Sequence, residues 1–131
     1  MSDYGLIFDH VHLISENPQK AADWYADKLG GTIVLCQEVL GAPQCYVAFN
    51  DMTVIIRGRR PGEEPLKKNS LQWGNDHFGF QVPGDFDRFC DDLKKKGVKF
   101  TVDPKDLSPK LRIAFLEAPD GVTLELLQKK A

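Results

Sequence analysis

Phe8-Asp9-His10-Val11-His12-Leu13-Ile14-Ser15, followed by Glu16-Asn17-Pro18, is the stretch from which the fold can be read. Its first eight residues alternate and carry apolar or β-branched side chains at several positions, which predicts a strand. Asn17 suits the N-cap of a helix that takes Pro18 as its first residue. Ala21, Ala22, Trp24, Tyr25 and Leu29 then recur at helical spacing until Gly30-Gly31 ends the run. Thr32 to Leu40, Gln44 to Phe49 and Thr53 to Arg57 are short β-rich runs, divided by Gly41-Ala42-Pro43 and by Asn50-Asp51, both turn signals. The first half therefore reads β-α-β-β-β.

A polar, turn-rich connector follows, with Arg59, Arg60, Pro61, Gly62, Glu63, Glu64, Pro65, Lys67 and Lys68. The pattern then starts again. His77 to Val82 reads as a strand, and Asp85 opens a helix in which Phe86, Phe89, Cys90 and Leu93 share a face. Lys94 to Lys96 fill its last turn and Gly97 lies behind it. Val98 to Val102, Arg112 to Glu117 and Val122 to Leu127 complete a second β-α-β-β-β set. Adding 67 takes His10 to His77 and Gly30 to Gly97; adding 69 takes Asp51 to Asp120, Tyr46 to Phe115 and Ile56 to Glu125. The expectation is an α+β fold of paired βαβββ modules in a single domain over 1–131, with modules at 6–58 and 75–128 and a linker over 59–74.

At 131 residues, with 42% hydrophobic and 27% charged residues, the chain has the composition of one compact domain and not of a disordered segment. A chain of this size buries about two-thirds of its unfolded surface, so any metal would serve chemistry before folding. The formal net charge of −2 gives no global attraction to nucleic acid or anionic lipid. The stretch Met1 to His10 has neither a basic start nor a long apolar run, and no window approaches a membrane span, so a cytoplasmic protein is expected. Cys36, Cys45 and Cys90 are odd in number and form no Cys-x-x-Cys pair, and are expected to be ordinary reduced thiols.

The duplication brings polar residues to matched places. His10 and His77 both lie on the first strand of their unit, and Glu125 lies in the apolar strand Gly-Val-Thr-Leu-Glu-Leu-Leu. An unpaired carboxylate in such a strand costs several kcal/mol to bury, so something should neutralise it. A divalent metal held by two imidazoles and one carboxylate does so and leaves positions open to substrate. The alternative is that both histidines are hydrogen-bonded and Glu125 faces solvent.

Phe8 to Leu13, Ala22-Asp23-Trp24-Tyr25 and Lys28-Leu29-Gly30-Gly31 resemble the first module of the vicinal oxygen chelate superfamily. Asp76 to Phe80 and Ala118 to Glu125 resemble its second. That superfamily includes glyoxalase I, methylmalonyl-CoA epimerase, extradiol dioxygenases, fosfomycin-modifying transferases and bleomycin-binding proteins. The resemblance implies that His10, His77 and Glu125 ligate a divalent metal (Fe2+, Mn2+, Zn2+ or Ni2+), and that the protein is a homodimer. A fourth ligand position, Glu or Gln in glyoxalase I, falls on Ile56, which cannot ligate. Phe115 stands where the dioxygenases carry a tyrosine.

The expected activity is metal-dependent chemistry on a small molecule with two adjacent oxygens. Extradiol-type dioxygenase chemistry stands slightly ahead of a glyoxalase-like lyase or isomerase, and a metal-free drug-binding protein is the alternative. His12, two residues after His10, shares its strand face and is nominated as general base; it is alternatively a satisfied core histidine or a ligand. Glu117 is a second candidate acid–base group or a solvated carboxylate. Tyr46, Ile56, Arg57 and Phe115 are candidate pocket residues, and Arg57, Arg59 and Arg60 form a basic cluster suited to a carboxylate or phosphate, or simply a solvated linker. Trp24 and Tyr25 are expected to pack on the outer sheet face.

Overall fold

A computed structural model describes residues 4–66 and 71–130. Met1, Ser2 and Asp3 of the amino terminus and Lys67 and Lys68 of the connector lie outside the described residues. The chain divides after Leu66 into two compact units. The first contains β1 (His10–Ile14), α1 (Pro18–Leu29), β2 (Thr32–Val39), β3 (Ala42–Ala48) and β4 (Thr53–Arg57). The second contains β5 (Phe78–Gln81), α2 (Phe86–Lys95), β6 (Phe100–Ser108), β7 (Leu111–Glu117), a short 3-10 turn (Pro119–Gly121) and β8 (Thr123–Lys129). The α+β architecture is thus two βαβββ modules.

Each sheet has its module's first strand beside its last, in the orders β1-β4-β3-β2 and β5-β8-β7-β6. The β1/β4 and β5/β8 pairings are parallel and the others antiparallel. In each module the helix and the two strands after it together make the long connection that a parallel pair needs. The Asn17 side chain accepts the Lys20 N–H at 3.1 Å, and Gly30 ends α1 in the left-handed conformation with φ 77°. Asp85 caps α2 in the same way through the Arg88 N–H at 3.1 Å.

Each helix covers one face of its sheet. Ala21, Ala22 and Tyr25 of α1 are buried, as are Cys45, Val47, Val54 and Ile56 of β3 and β4. Phe86, Cys90 and Leu93 of α2 are buried, as are Ala114, Leu116, Leu124 and Leu126 of β7 and β8. Burying each large side chain contributes about 1.5–3 kcal/mol. Alternation then turns His10, His12, Tyr46, Ile55 and Arg57 to the other face of the first sheet, and Phe115, Glu117 and Glu125 to the other face of the second. Trp24 is half-buried and meets the buried Tyr25 edge-on, ring centroids 5.1 Å apart.

Three details depart from the sequence reading. The turn expected over Gly41-Ala42-Pro43 is a tighter one at Leu40-Gly41, both with positive φ (53° and 87°), as a two-residue hairpin requires. Pro43 therefore lies inside β3, beyond the end of the β4 ladder, where its missing N–H forfeits no strand partner and its carbonyl accepts Gly58 N–H at 2.9 Å. The strand expected over 98–102 runs instead to Ser108, because β6 is an edge strand paired only with β7 and tolerates Pro104.

The cysteine expectation is also corrected. Cys36 and Cys45 stand directly opposite on β2 and β3, with Cα atoms 4.1 Å apart, and form a disulfide. Sequence separation hid the pairing, since register brings the two together only once the hairpin closes. Cys90 is free and buried, and burial pushes its thiol up to about 11. Protein unfolded without reductant should therefore show one reactive thiol per chain and, after reduction, three; a count of three before reduction would contradict the bridge.

Candidate functional site

In the first unit, parallel pairing clamps the start of β1: Thr53 N–H donates to the Asp9 carbonyl at 3.1 Å, and His10 stands opposite Thr53. The Asp9 carboxylate grips His10 Nδ1 at 2.6 Å. In the second unit Asp76 holds His77 Nδ1 at 2.7 Å. The duplication is thus finer than the histidines alone, because each carries its preceding aspartate as an anchor on Nδ1. A carboxylate on one ring nitrogen fixes the tautomer and presents the other, which is the usual support of a metal-ligating imidazole.

His77 Nε2 lies 3.0 Å from Glu125 Oε1. The Glu125 side chain is 17% exposed, so this contact answers the desolvation that its apolar strand imposes. Phe115, paired with Glu125 across β7 and β8, meets the His77 ring edge-on at 5.0 Å. Gly79 stands opposite Glu125, where a Cβ would lie 3.0 Å from the Glu125 carbonyl oxygen. Glu117, two residues beyond Phe115, is exposed and has Lys99 at 3.7 Å.

The place expected for a fourth ligand is corrected by one residue. Tyr46 pairs with Ile55, and Phe115 with Glu125, so the last strands superpose by adding 70 and Ile55 is the counterpart of Glu125. Ile56 is fully buried on the helix-covered face and lines no open surface. The extra residue lies in the connection ahead of β8, where subtraction tuned to the preceding strands cannot see it. Ile55 is no better a ligand than Ile56, so the position still lacks a donor.

His12 also stands opposite Ile55, in ring contact with His10 at 6.1 Å between centroids. Its pKa is lowered by desolvation, then by the positive charge of Arg57, which keeps the imidazole neutral near neutrality. Arg57 is held by Glu63 at 2.6 and 3.3 Å, so the basic cluster has an internal counter-ion that the sequence reading passed over. Arg59 has Glu64 at 3.7 Å. Tyr46 accepts a 2.6 Å hydrogen bond from Gln44 Nε2.

In the second unit His77 and Glu125, and in the first unit His10 by itself, are borderline nitrogen and oxygen donors of the kind that suits a first-row divalent ion. The donor chemistry, with Nδ1 of both imidazoles anchored, fits such a group. Among the described residues no set of three or more His, Cys, Asp or Glu side chains is gathered in metal-holding geometry. Nor is any helix among them long and apolar enough to cross a membrane.

With the fold and these side chains in view, the comparisons with known proteins are specific at one level. The Glyoxalase/Bleomycin resistance protein/Dioxygenase superfamily matches residues 7–126, and the chain belongs to it. No curated protein matches significantly. Among solved structures, a glyoxalase/bleomycin resistance protein/dioxygenase domain from Frankia sp. EAN1pec is 22% identical with a TM-score of 0.77, over 92% of this chain and 95% of that one. TnmS3, an antibiotic-binding protein from Streptomyces sp. CB03234, is 21% identical with a TM-score of 0.72, over 99% and 100%. A glyoxalase I variant from Zea mays is 21% identical with a TM-score of 0.74, over 93% of this chain and 44% of that one. At these identities the structures share the fold.

His77 should titrate above, and His12 below, the ordinary imidazole value. His77 is raised, first by its hydrogen bond to Asp76 and further by Glu125, so its charged form stabilises the fold below the unfolded pKa and that contribution is lost as pH rises through the folded value. His12 is lowered, so its contribution is present above the unfolded pKa and lost as pH falls. Proton NMR of metal-free protein checks this: Asp76→Asn should bring the His77 midpoint down, and two coincident midpoints in wild type would contradict the assignment.

Gly79→Val should disturb the site without touching its polar groups. The added side chain meets the Glu125 backbone and Cβ, so the His77–Glu125 contact should weaken, visible as a downward move of the His77 midpoint; an unchanged midpoint would show that β5 yields instead.

Proposed function

We propose that the protein is a divalent-metal-dependent enzyme acting on a small molecule with two adjacent oxygens. The observation that carries this reading is the twice-built Asp–His pair, at 2.6 Å and 2.7 Å, with the second imidazole aimed at a partly buried carboxylate. His77 and Glu125 would hold the ion, and His10 is the third donor that the resemblance implies. When bound, the ion supplies Lewis-acid stabilisation of negative charge developing on substrate oxygen.

The chain's own residues do the rest. His12, neutral near pH 7, accepts a proton from the substrate, and Glu117 exchanges protons with solvent. Tyr46, Arg57 and Phe115 bind and orient the substrate. Two histidines and one carboxylate with no fourth donor would suit Fe2+ and dioxygen chemistry, so an extradiol-type activity ranks slightly ahead of a lyase or isomerase using Mn2+, Zn2+ or Ni2+. We further propose a homodimer; the exposure of Leu6, Ile7, Phe8, Val34 and Leu40 supports association with a second copy.

A second reading, a metal-free protein that sequesters a drug-like ligand, is favoured by the direct His77–Glu125 contact, which satisfies the carboxylate without an ion. The fold shared with an antibiotic-binding protein supports it too.

Elemental analysis of tag-free protein separates the two. The enzyme reading expects near-stoichiometric iron, manganese, nickel or zinc, lost in His77→Ala/Glu125→Ala and bound about 10–100-fold more weakly in Asp76→Asn. No metal after reconstitution would leave the sequestering reading in its place.

A further inference from the structure

Beside the residues assigned to the metal, the first unit holds a second polar cluster whose hydrogen bonding is incomplete. One carboxylate serves two arginines: Glu63 receives Arg57 at 2.6 and 3.3 Å and the Arg60 backbone N–H at 2.8 Å. Two guanidinium charges against one carboxylate leave a net positive charge. The Arg57 side chain is only 16% exposed, so that charge is less screened than one on an open surface.

Gln44 is the cross-strand neighbour of Arg57 and is 6% exposed. Its Nε2 donates to the Tyr46 hydroxyl at 2.6 Å, while its Oε1 is buried without a partner. Turning the amide over exchanges the two atoms and still leaves one of them unpaired. Arg60 Nε is likewise buried without a partner. The Tyr46 hydroxyl, having accepted from Gln44, retains its own hydrogen to donate. Buried polar atoms of native proteins are nearly always satisfied, so unpaired ones on an open sheet face and its flanking loop point to a ligand.

The loop that carries Arg60 is tied to the sheet. Gly58 N–H donates to the Pro43 carbonyl at 2.9 Å, and Pro61 packs where a Cβ on Gly41 would meet it at 3.0 Å. Arg60 is therefore presented by a fastened loop and not by a free tail.

We propose that Arg60, Arg57, Tyr46 and Gln44 dock the carboxylate of a 2-hydroxycarboxylate substrate. Arg60 Nε–H and the Tyr46 hydroxyl donate to the carboxylate oxygens, Arg57 supplies the compensating charge, and Gln44 Oε1 accepts from the neighbouring hydroxyl. This rests on the reading that the substrate carries adjacent oxygens, and it narrows that reading to an anion.

The test uses full-length protein stripped of metal with EDTA and three probes of one skeleton: mandelate, the neutral 1-phenylethane-1,2-diol, and phenylacetate, which lacks the hydroxyl. Calorimetric titration should find mandelate bound about tenfold more tightly than the diol and more tightly than phenylacetate. Arg60→Gln should reduce mandelate affinity while leaving diol affinity in place, and Tyr46→Phe should reduce mandelate affinity by more than it reduces diol affinity, with thermal melts reporting that both variants fold. Equal affinity for mandelate and diol, an equal loss of both in the variants, or no mandelate binding up to about 10 mM would overturn the proposal. Metal content, measured separately, distinguishes its failure from that of the metal-enzyme reading: a carboxylate preference without metal leaves the docking site standing, and bound metal without the preference removes the docking site alone.

Discussion

The parallel pairing of each module's first strand with its last is the constraint on which the candidate site depends. It fixes the height at which an aspartate and a histidine leave the start of β1 or β5 relative to the residues of β4 or β8. In the second unit that register sets Gly79 opposite Glu125, and a Cβ there would crowd the Glu125 backbone at 3.0 Å. The small residue allows close approach, and the close approach lets an imidazole two residues earlier reach the Glu125 carboxylate. A slip of one residue would turn Glu125 into the helix-packed layer, where it has no partner. The helices hold the register indirectly, because Val54, Ile56, Leu124 and Leu126 bury themselves only in the observed alternation.

Much of this was legible in the sequence because periodicity and punctuation are local. Asn17-Pro18 and Gly30 bound α1, and Asp85 caps α2, since capping residues act on the backbone within a few positions. The two β-α-β-β-β sets and the equivalence of His10 with His77 followed from the same signals. What failed was information carried by pairing across strands. The Cys36–Cys45 bridge needs the hairpin register, and the hairpin register turns on two positive-φ residues, one of them a leucine that no turn rule would choose. The exchange of Ile56 for Ile55 has the same origin, since one added residue between strands reverses every facing after it.

Other site residues were visible but had no reason to be chosen. Asp9 and Asp76 precede the two histidines in both modules, yet an aspartate beside a histidine is ordinary until the Nδ1 contacts are known. Glu63 reads as one charge in a polar connector, and only the folded loop turns it back to Arg57. Glu125 was different: a carboxylate amid leucines announces a desolvation cost that something must meet, and the structure meets it with His77. Cost in the wrong environment was thus a stronger signal than residue type.

The two modules have kept the same frame and parted in their chemistry. Both retain the Asp–His pair, but the position that is Glu125 in the second is Ile55 in the first, and Leu127 stands where the first has Arg57. His77 is raised, first by its hydrogen bond to Asp76 and then by Glu125, while His12, whose place in the second unit is taken by Gly79, is lowered by desolvation and then by Arg57. The position that is His12 in the first unit and Gly79 in the second thus sets an imidazole beside arginines in one and, in the other, allows the close approach that seats Glu125 against His77.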